Sequence, residues 1–138
     1  MVEVGQKLPD AEVLLVGEDG QEAVRIADYL ASKKVAIFAM PGAFTSTCSS
    51  SHLPNVIRHK DGLYEKGVDD VVILVVNDPF VVREWAKHSG AFAAGLTMIA
   101  DAGSVFTTAL GMNFSAEAIG FYDRSQRYAL LSENGVVS

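Results

Sequence analysis

Cys48 is the residue of this sequence most suited to covalent chemistry, because it is the sole cysteine and its neighbours along the chain are polar. Thr45 and Thr47 precede it, and a run of three serines, 49–51, follows it. A cysteine that serves only as a small buried hydrophobe lies more often among Leu, Ile and Val. A count of one excludes an internal disulfide, a CxxC redox pair and a zinc site of several cysteines. Any sulfur chemistry must therefore use one thiol.

The position of Cys48 is one where α/β folds commonly bind ligands. The apolar run 35–40 predicts a strand and 48–66 predicts a helix, which places the thiol in the first turn of the helix. Open α/β sheets bind ligands at the carboxyl ends of their strands. The positive end of a helix and its unpaired amides favour the thiolate form of a cysteine. We therefore expect a nucleophilic thiolate.

The elements that position this thiol follow an alternating pattern typical of a layered α/β fold. The run 71–76 is apolar at every position, which predicts a central strand covered by helices on both faces. Pro54 predicts a kink in the long helix, and Asp78 before Pro79 predicts a capped helix start. Glu133-Asn134-Gly135 predicts a hairpin turn. The predicted strands are 13–16, 35–40, 71–76, 98–100 and 128–131, and the predicted helices are 26–31, 48–66, 79–88 and 104–110.

Composition limits the class of protein. The chain has 138 residues, of which 49% are hydrophobic, and we expect one domain over 1–138. The 11 basic and 17 acidic residues give a net charge of −6, which argues against a nucleic-acid partner. The longest apolar stretches, 35–44 and 91–100, are too short to span a membrane. The early charges in 1–10 are unlike a secretory signal, so we expect a cytoplasmic protein.

The spacing Pro41-x-x-x-Thr45-x-x-Cys48 matches the active-site motif of the peroxiredoxins. Other segments agree in the same order along the chain, and together they resemble the peroxiredoxin 5 (type II) group. These segments are Pro41-Gly-Ala-Phe-Thr45, Cys48-Ser49, His52-Leu-Pro54, Val76-Asn-Asp78 with Phe80-Val81, Glu84-Trp85, and Arg127-Tyr128 ahead of Glu133-Asn-Gly-Val-Val137.

The resemblance implies a thioredoxin-like fold, with a central mixed β-sheet flanked by helices, and reduction of hydrogen peroxide and alkyl hydroperoxides. Cys48 would be the peroxidatic nucleophile, which cycles from thiolate to sulfenic acid. Thr45 would accept a hydrogen bond from the peroxide while its own proton points to the sulfur. Arg127 would contact both the thiolate and the peroxide oxygen.

The resemblance also assigns roles around these catalytic residues. Pro41, Gly42 and Thr47 would belong to the peroxide-binding loop, where Pro41 shields the sulfur and the amides of Thr47 and Cys48 donate hydrogen bonds. The family has a dimer contact nearby, so we expect a homodimer in which Phe44, Asp78 and Phe80 lie at or near the interface. The expected reaction needs no cofactor and no metal.

The sequence departs from the family pattern in three ways. Ser46 stands where many members have proline, and Ile73 stands where some have a second cysteine. The strand and terminal helix with which the family continues are missing from the sequence, so we expect a truncated chain. With one cysteine, the enzyme would be of the 1-Cys type and would need an external thiol such as glutathione, glutaredoxin or thioredoxin.

Three alternatives compete with these assignments. Arg124, three residues before Arg127, is the other candidate for the catalytic arginine. A Cys48–His52 nucleophile–base pair is less favoured than a structural histidine, because no orienting residue or oxyanion hole is evident. A redox-sensing or binding module would keep a reactive Cys48 without efficient turnover, and it would not need Thr45 or Arg127.

Overall fold

The structure is a computed structural model that describes residues 2–45 and 52–138. Strands and helices alternate along most of the chain, as the pattern of apolar runs predicted. The described strands are β1 Glu12–Val16, β2 Gln21–Arg25, β3 Lys34–Met40, β4 Asp70–Val75, β5 Thr97–Ala100, β6 Asn113–Ala116, β7 Phe121–Ser125, β8 Tyr128–Glu133 and β9 Val136–Val137. The described helices are α1 Ile26–Leu30, α2 Leu53–Glu65, α3 Pro79–Ser89 and α4 Val105–Ala109.

The main sheet is mixed, with β4 at its centre. Within the described residues its order is β2-β1-β5-β4-β3-β8-β9, and β6 and β7 form a separate hairpin. Strands β3, β4 and β5 are parallel, whereas β1 pairs antiparallel with β5 and β8 pairs antiparallel with β3. The prediction that the apolar run 71–76 forms the central strand is confirmed.

Helices cover both faces of this sheet, and each face has its own buried core. On one face α2 and α3 contribute Val56 and Trp85 to a cluster that includes Ile73 of β4. On the other face α1 and α4 contribute Leu30 and Phe106 to a cluster that includes Leu74. Successive residues of β4 point to opposite faces, and both faces are apolar, which explains why the strand lacks a polar alternation.

Two predicted local signals take the expected geometry. Asp78 Oδ1 accepts hydrogen bonds from the amides of Phe80, at 2.9 Å, and Val81, at 3.0 Å, and so caps α3. Asn134 and Gly135 both have positive φ, of 51° and 80°, as a two-residue turn between β8 and β9 requires.

The long predicted helix differs from the prediction at its start. The described helix begins at Leu53, so Pro54 lies in its first turn, where a missing N–H costs no helical hydrogen bond. The expected first turn at Cys48 lies outside the described residues, and so does part of the segment that a kink at Pro54 would involve.

The pattern of apolar runs did not predict β2, β6 and β7. The β2 sequence is QEAVR, and its side chains are exposed or half-buried, so hydrophobicity gives no signal. Strand β2 forms because it pairs along its full length with β1. Strands β6 and β7 pair with each other beside the main sheet and carry few buried residues.

The outer edge of β8 borders an apolar groove. Strand β9 pairs with Ser132 and Glu133 at the end of β8. Among the described residues, only the amide of Ser138 donates to this edge of β8 beyond that pairing, to the Leu131 carbonyl at 2.9 Å. The adjoining groove has a volume of about 560 Å³ and is lined by residues that include Phe38 and Leu63. None of the described helices has the length and apolar character that a transmembrane helix requires.

Candidate active site

The candidate site lies at the sheet edge where β3 and β4 end and β8 begins. The parallel strands β3 and β4 finish at Met40 and Val75, which are paired with each other. Strand β8 runs the opposite way, and its first residue, Tyr128, pairs with Ala39. This register brings Arg127, which directly precedes β8, to the same edge as the loop that follows β3.

Two side chains from distant parts of the sequence hold the loop that follows β3. Asn77, just beyond β4, accepts a hydrogen bond from the Ala43 amide at its Oδ1, with an N–O distance of 2.8 Å. Arg124 of β7 donates from Nη1 to the Pro41 carbonyl at 3.0 Å. The Arg124 guanidinium also lies over the Phe121 ring, 4.7 Å from its centroid. The position of the loop therefore depends on both the main sheet and the separate hairpin.

Gly42 lies where the Arg124 guanidinium approaches the loop closely. A Cβ atom added to Gly42 would lie 2.3 Å from Arg124 Nη1 and 3.4 Å from Asn77 Oδ1. The shorter of these distances is far below van der Waals contact, so any side chain here would displace the guanidinium. The predicted loop residues Pro41 and Gly42 are thus the two that Arg124 contacts.

Thr45 ends the described part of the loop. Its Oγ1 donates a hydrogen bond to the Gly42 carbonyl at 2.8 Å. A hydroxyl has one proton and two acceptor lone pairs, so the lone pairs stay available to a hydroperoxide donor. Donation from Thr45 to a sulfur, as the resemblance implied, requires this proton to leave the Gly42 carbonyl or to be shared with it.

Arg127 is held by His52, which is the first residue that the structure describes after position 45. Arg127 Nη1 lies 2.6 Å from His52 Nδ1. The His52 ring meets the Phe38 ring edge-on, with centroids 6.3 Å apart and planes at 78°. Burial lowers the pKa of His52, and the positive charge of Arg127 lowers it further. The neutral form of His52 is therefore favoured.

Arg124 and Arg127 both reach this edge of the sheet, but they bond to different residues. Arg124 contacts the Pro41 carbonyl from β7, and Arg127 contacts His52 from the start of β8. Cys48 and Thr47 lie outside the described residues. Thr45 and His52 are the described residues closest to Cys48 in sequence, and both lie at this edge.

The three residues predicted near a dimer contact lie beside the loop. Phe44 has a φ of 60° and a side chain that is 54% exposed, and Phe80 is 63% exposed. Asp78 caps α3 through its side chain. The hydrogen bond between the Ala43 amide and Asn77 brings the loop after β3 next to the residues that lead into α3. The Phe44 and Phe80 backbones therefore lie near one surface.

Sequence reasoning missed Asn77 and the contact between Arg127 and His52. Asn77 had a usable signal, because a polar side chain directly after a buried parallel strand lies at the ligand-binding edge. The contact of Arg127 with His52 had no such signal, because 75 residues separate the two positions. Among the described residues, no three His, Cys, Asp or Glu side chains group closely enough to bind a metal ion.

Comparison with known proteins decides the family. The model of the Redoxin family matches residues 3–138. Peroxiredoxin-2C from rice, Oryza sativa subsp. japonica, is 42% identical over 134 residues, which cover 96% of this chain and 82% of that protein. The chain belongs to the peroxiredoxin family. The predicted resemblance is thereby confirmed.

Further peroxiredoxins agree with this assignment. The chloroplastic Peroxiredoxin-2E-2 from rice is 42% identical over 140 residues, covering 99% of this chain and 62% of that longer protein. The structure of reduced Prx3 from Vibrio vulnificus in complex with hydrogen peroxide superposes with a TM-score of 0.92 at 41% identity, covering 99% of this chain and 85% of that one. The predicted thioredoxin-like fold is confirmed, and the protein is an oxidoreductase of the thiol peroxidase class.

Proposed function

We propose that the protein reduces hydrogen peroxide and alkyl hydroperoxides by a 1-Cys mechanism in which Cys48 is the nucleophile. One observation carries the proposal. The fold gathers Pro41, Thr45 and Arg127 at one sheet edge, although more than 80 positions separate Thr45 from Arg127. These are the residues that the resemblance to the peroxiredoxins assigns to the surroundings of the peroxidatic cysteine. Cys48 is three residues from Thr45 in the sequence.

The first step transfers one oxygen atom to sulfur. The Cys48 thiolate attacks the near oxygen of the hydroperoxide, an S–O bond forms and the O–O bond breaks. The leaving oxygen takes the electron pair of the broken bond and a proton, which yields water from hydrogen peroxide or an alcohol from an alkyl hydroperoxide. The sulfur is oxidised to sulfenic acid and the peroxide is reduced.

Arg127 and Thr45 act on the charge and orientation of the reactants. The positive charge of the Arg127 guanidinium stabilises the thiolate and the negative charge that develops on the leaving oxygen. The lone pairs of Thr45 Oγ1 accept from the hydroperoxide O–H and direct its oxygen toward the sulfur. Pro41 has no N–H, and its carbonyl accepts a hydrogen bond from Arg124, so the backbone of this residue offers no donor to water near the sulfur.

An external thiol completes the cycle. The first thiol attacks the sulfenic acid, which forms a mixed disulfide and releases water. A second thiol then reduces that disulfide and restores Cys48. Residues 1–138 contain a single cysteine, so no disulfide can form within them. Glutathione, glutaredoxin and thioredoxin all supply the required chemistry.

We also propose that the protein is a homodimer that uses the surface around Phe44 and Phe80. Both side chains are more than half exposed, and large exposed aromatics beside a binding loop are typical of interfaces. A cytoplasmic location stays a prediction from the N-terminal sequence, and one domain over 1–138 stays a prediction from its length.

A turnover measurement tests the proposed reaction. Reduced protein mixed with a small excess of hydrogen peroxide should rapidly consume one equivalent and then slow sharply, and mass spectrometry should find a trapped sulfenic acid on Cys48. Addition of glutathione, or of thioredoxin or glutaredoxin with its reducing system, should restore continuous consumption. Cys48→Ser should consume none. Peroxide loss in Cys48→Ser equal to that of the unmodified protein would exclude Cys48 as the nucleophile.

The redox-sensing alternative predicts a different result in the same assay. A sensing module would form the sulfenic acid, but none of the three reductants would support more than a few turnovers. The assembly of Thr45 and Arg127 at one edge favours the peroxidase, because a sensor needs neither residue.

A further inference from the structure

The apolar groove at the outer edge of β8 begins beside Arg127. Tyr128, which directly follows Arg127 in the sequence, lines the groove, and the lining continues along the strand to Leu131. Three steps along a strand cover about 10 Å, so the groove extends at least that far from the catalytic edge. Its volume of about 560 Å³ falls within the range of small-molecule sites.

The lining of the groove is suited to a hydrocarbon chain. Within the described residues no charged side chain lines it, and Tyr128 and Ser138 supply its only polar side chains. Phe38 and Leu63 belong to the core on one face of the sheet, and Val137 belongs to the core on the other face. The groove is therefore uncharged along its length, with a guanidinium next to one end. This distribution of charge matches a molecule that has one polar end and an aliphatic chain.

The groove is also continuous with the candidate active site. Phe38 and Leu63, which line it, also line a smaller cavity of about 230 Å³ together with His52. His52 Nδ1 in turn lies 2.6 Å from Arg127 Nη1. An apolar surface thus extends from the groove to the residue that contacts Arg127, so a molecule bound at Arg127 can lay its chain along it.

The N-terminal segment forms an accessible wall of the groove. The Gly5 amide donates to the Val137 carbonyl at 2.7 Å, and the Val137 amide donates to the Gln6 carbonyl at 2.9 Å. This pairing holds Val4 beside the groove, where its side chain contributes to the lining although it is 80% exposed. A substitution at Val4 therefore changes the groove without disturbing the buried core.

We propose that this groove binds the aliphatic chain of a long-chain alkyl hydroperoxide while the hydroperoxide group lies at Arg127. The inference rests on the proposed function and extends it, because it names the part of the protein that favours one class of hydroperoxide. Hydrogen peroxide has no chain and gains nothing from the groove.

A series of primary n-alkyl hydroperoxides from ethyl to octyl tests the inference, because these compounds differ in chain length and little in chemical reactivity. A groove buries about half of the surface of each methylene, so the second-order rate constant for a single turnover should rise about twofold per added methylene. The rise should level off once the chain is longer than the groove. Equal rate constants along the series would overturn the inference.

Val4→Asp and Val105→Asp form a matched pair of substitutions at exposed valines. The Val4→Asp carboxylate lies against the bound chain, so the rate constant for octyl hydroperoxide, divided by that for hydrogen peroxide, should fall about threefold or more. Val105 lies on α4, outside the groove and 57% exposed, and Val105→Asp should leave this ratio unchanged. Leu63→Gln should also lower the ratio, because Leu63 lines both the groove and the smaller cavity. Equal ratios in the two aspartate variants would contradict the inference.

Binding of 1-octanol measures the groove without the reaction, because this alcohol has the same chain and no O–O bond. Isothermal titration calorimetry should detect its binding to the unmodified protein and to Val105→Asp, and weaker binding to Val4→Asp. No binding to the unmodified protein, as expected if a second copy of the chain covers the groove, would overturn the inference. A failure of the proposed function would look different. In that case no hydroperoxide would react faster with the unmodified protein than with Cys48→Ser, and the inference would fall with its premise even if octanol binds.

Discussion

At the scale of single residues, the site depends on pairs of side chains that no local pattern links. The sequence motif predicted Cys48 and Thr45, and the wider resemblance to the family predicted Arg127. It did not predict that Arg124 holds Pro41 or that His52 holds Arg127. Those contacts depend on the register of β8 and on the position of β7, which only the folded chain shows.

Gly42→Ala tests the close approach of Arg124 to the loop. The new methyl group would occupy the space of the guanidinium, so Arg124 must shift, and we expect its hydrogen bond to the Pro41 carbonyl to weaken. We expect peroxide reduction to slow about tenfold, with a loss of stability near 1 kcal/mol. Stopped-flow kinetics and urea unfolding measure the two effects.

Gly62→Ala is the matched control for this substitution. Gly62 lies in α2 with nothing within 4 Å of an added Cβ, so alanine should preserve the rate and stabilise the helix slightly. Equal rates in Gly42→Ala and the unmodified protein would mean that the contact with Arg124 has no part in positioning the loop.

At the scale of elements, hydrophobicity predicted the strands and helices that are buried and missed those that are not. Strand β4 was evident because both of its faces are covered, and α3 was evident from Asp78 and Pro79. Strand β2 has little buried surface and forms through its pairing with β1. Such pairing depends on a partner strand, so the local hydrophobicity of β2 does not predict it.

Asp78→Ala tests the helix cap that fixes the start of α3. The substitution removes the acceptor of the Phe80 and Val81 amides, and it should destabilise the protein by about 1 kcal/mol. Asp78→Asn keeps an acceptor and should lose less. Chemical unfolding followed by the fluorescence of Trp85 measures both. An unchanged midpoint in Asp78→Ala would show that the cap does not contribute to stability.

At the scale of the whole molecule, the site is assembled from three parts of the chain. The loop after β3, the residues after β4 and the start of β8 meet at one edge because β3 and β4 are parallel and β8 is antiparallel to β3. The class of fold was predictable from alternating elements. That Thr45 and Arg127 lie at the same edge of the sheet was predictable only through the resemblance to the family.

Phe80→Asp tests the proposed dimer surface. A carboxylate in the centre of an apolar contact would be desolvated without a partner, so the dimer should dissociate at concentrations where the unmodified protein stays associated. Val105, which is 57% exposed on α4, is the control site, and Val105→Asp should not change the association. Analytical ultracentrifugation measures the mass. An unmodified protein that sediments as a monomer would contradict the proposal.

The central claim is that Arg127 stabilises the reaction of Cys48 with a hydroperoxide. The most direct measurement is the second-order rate constant for a single turnover with hydrogen peroxide, compared between the unmodified protein, Arg127→Ala and the control Arg58→Ala. Arg58 is an exposed residue of α2 that bonds to Asn55. We predict a fall of about a hundredfold in Arg127→Ala and no change in Arg58→Ala. Equal rate constants in all three proteins would contradict the account.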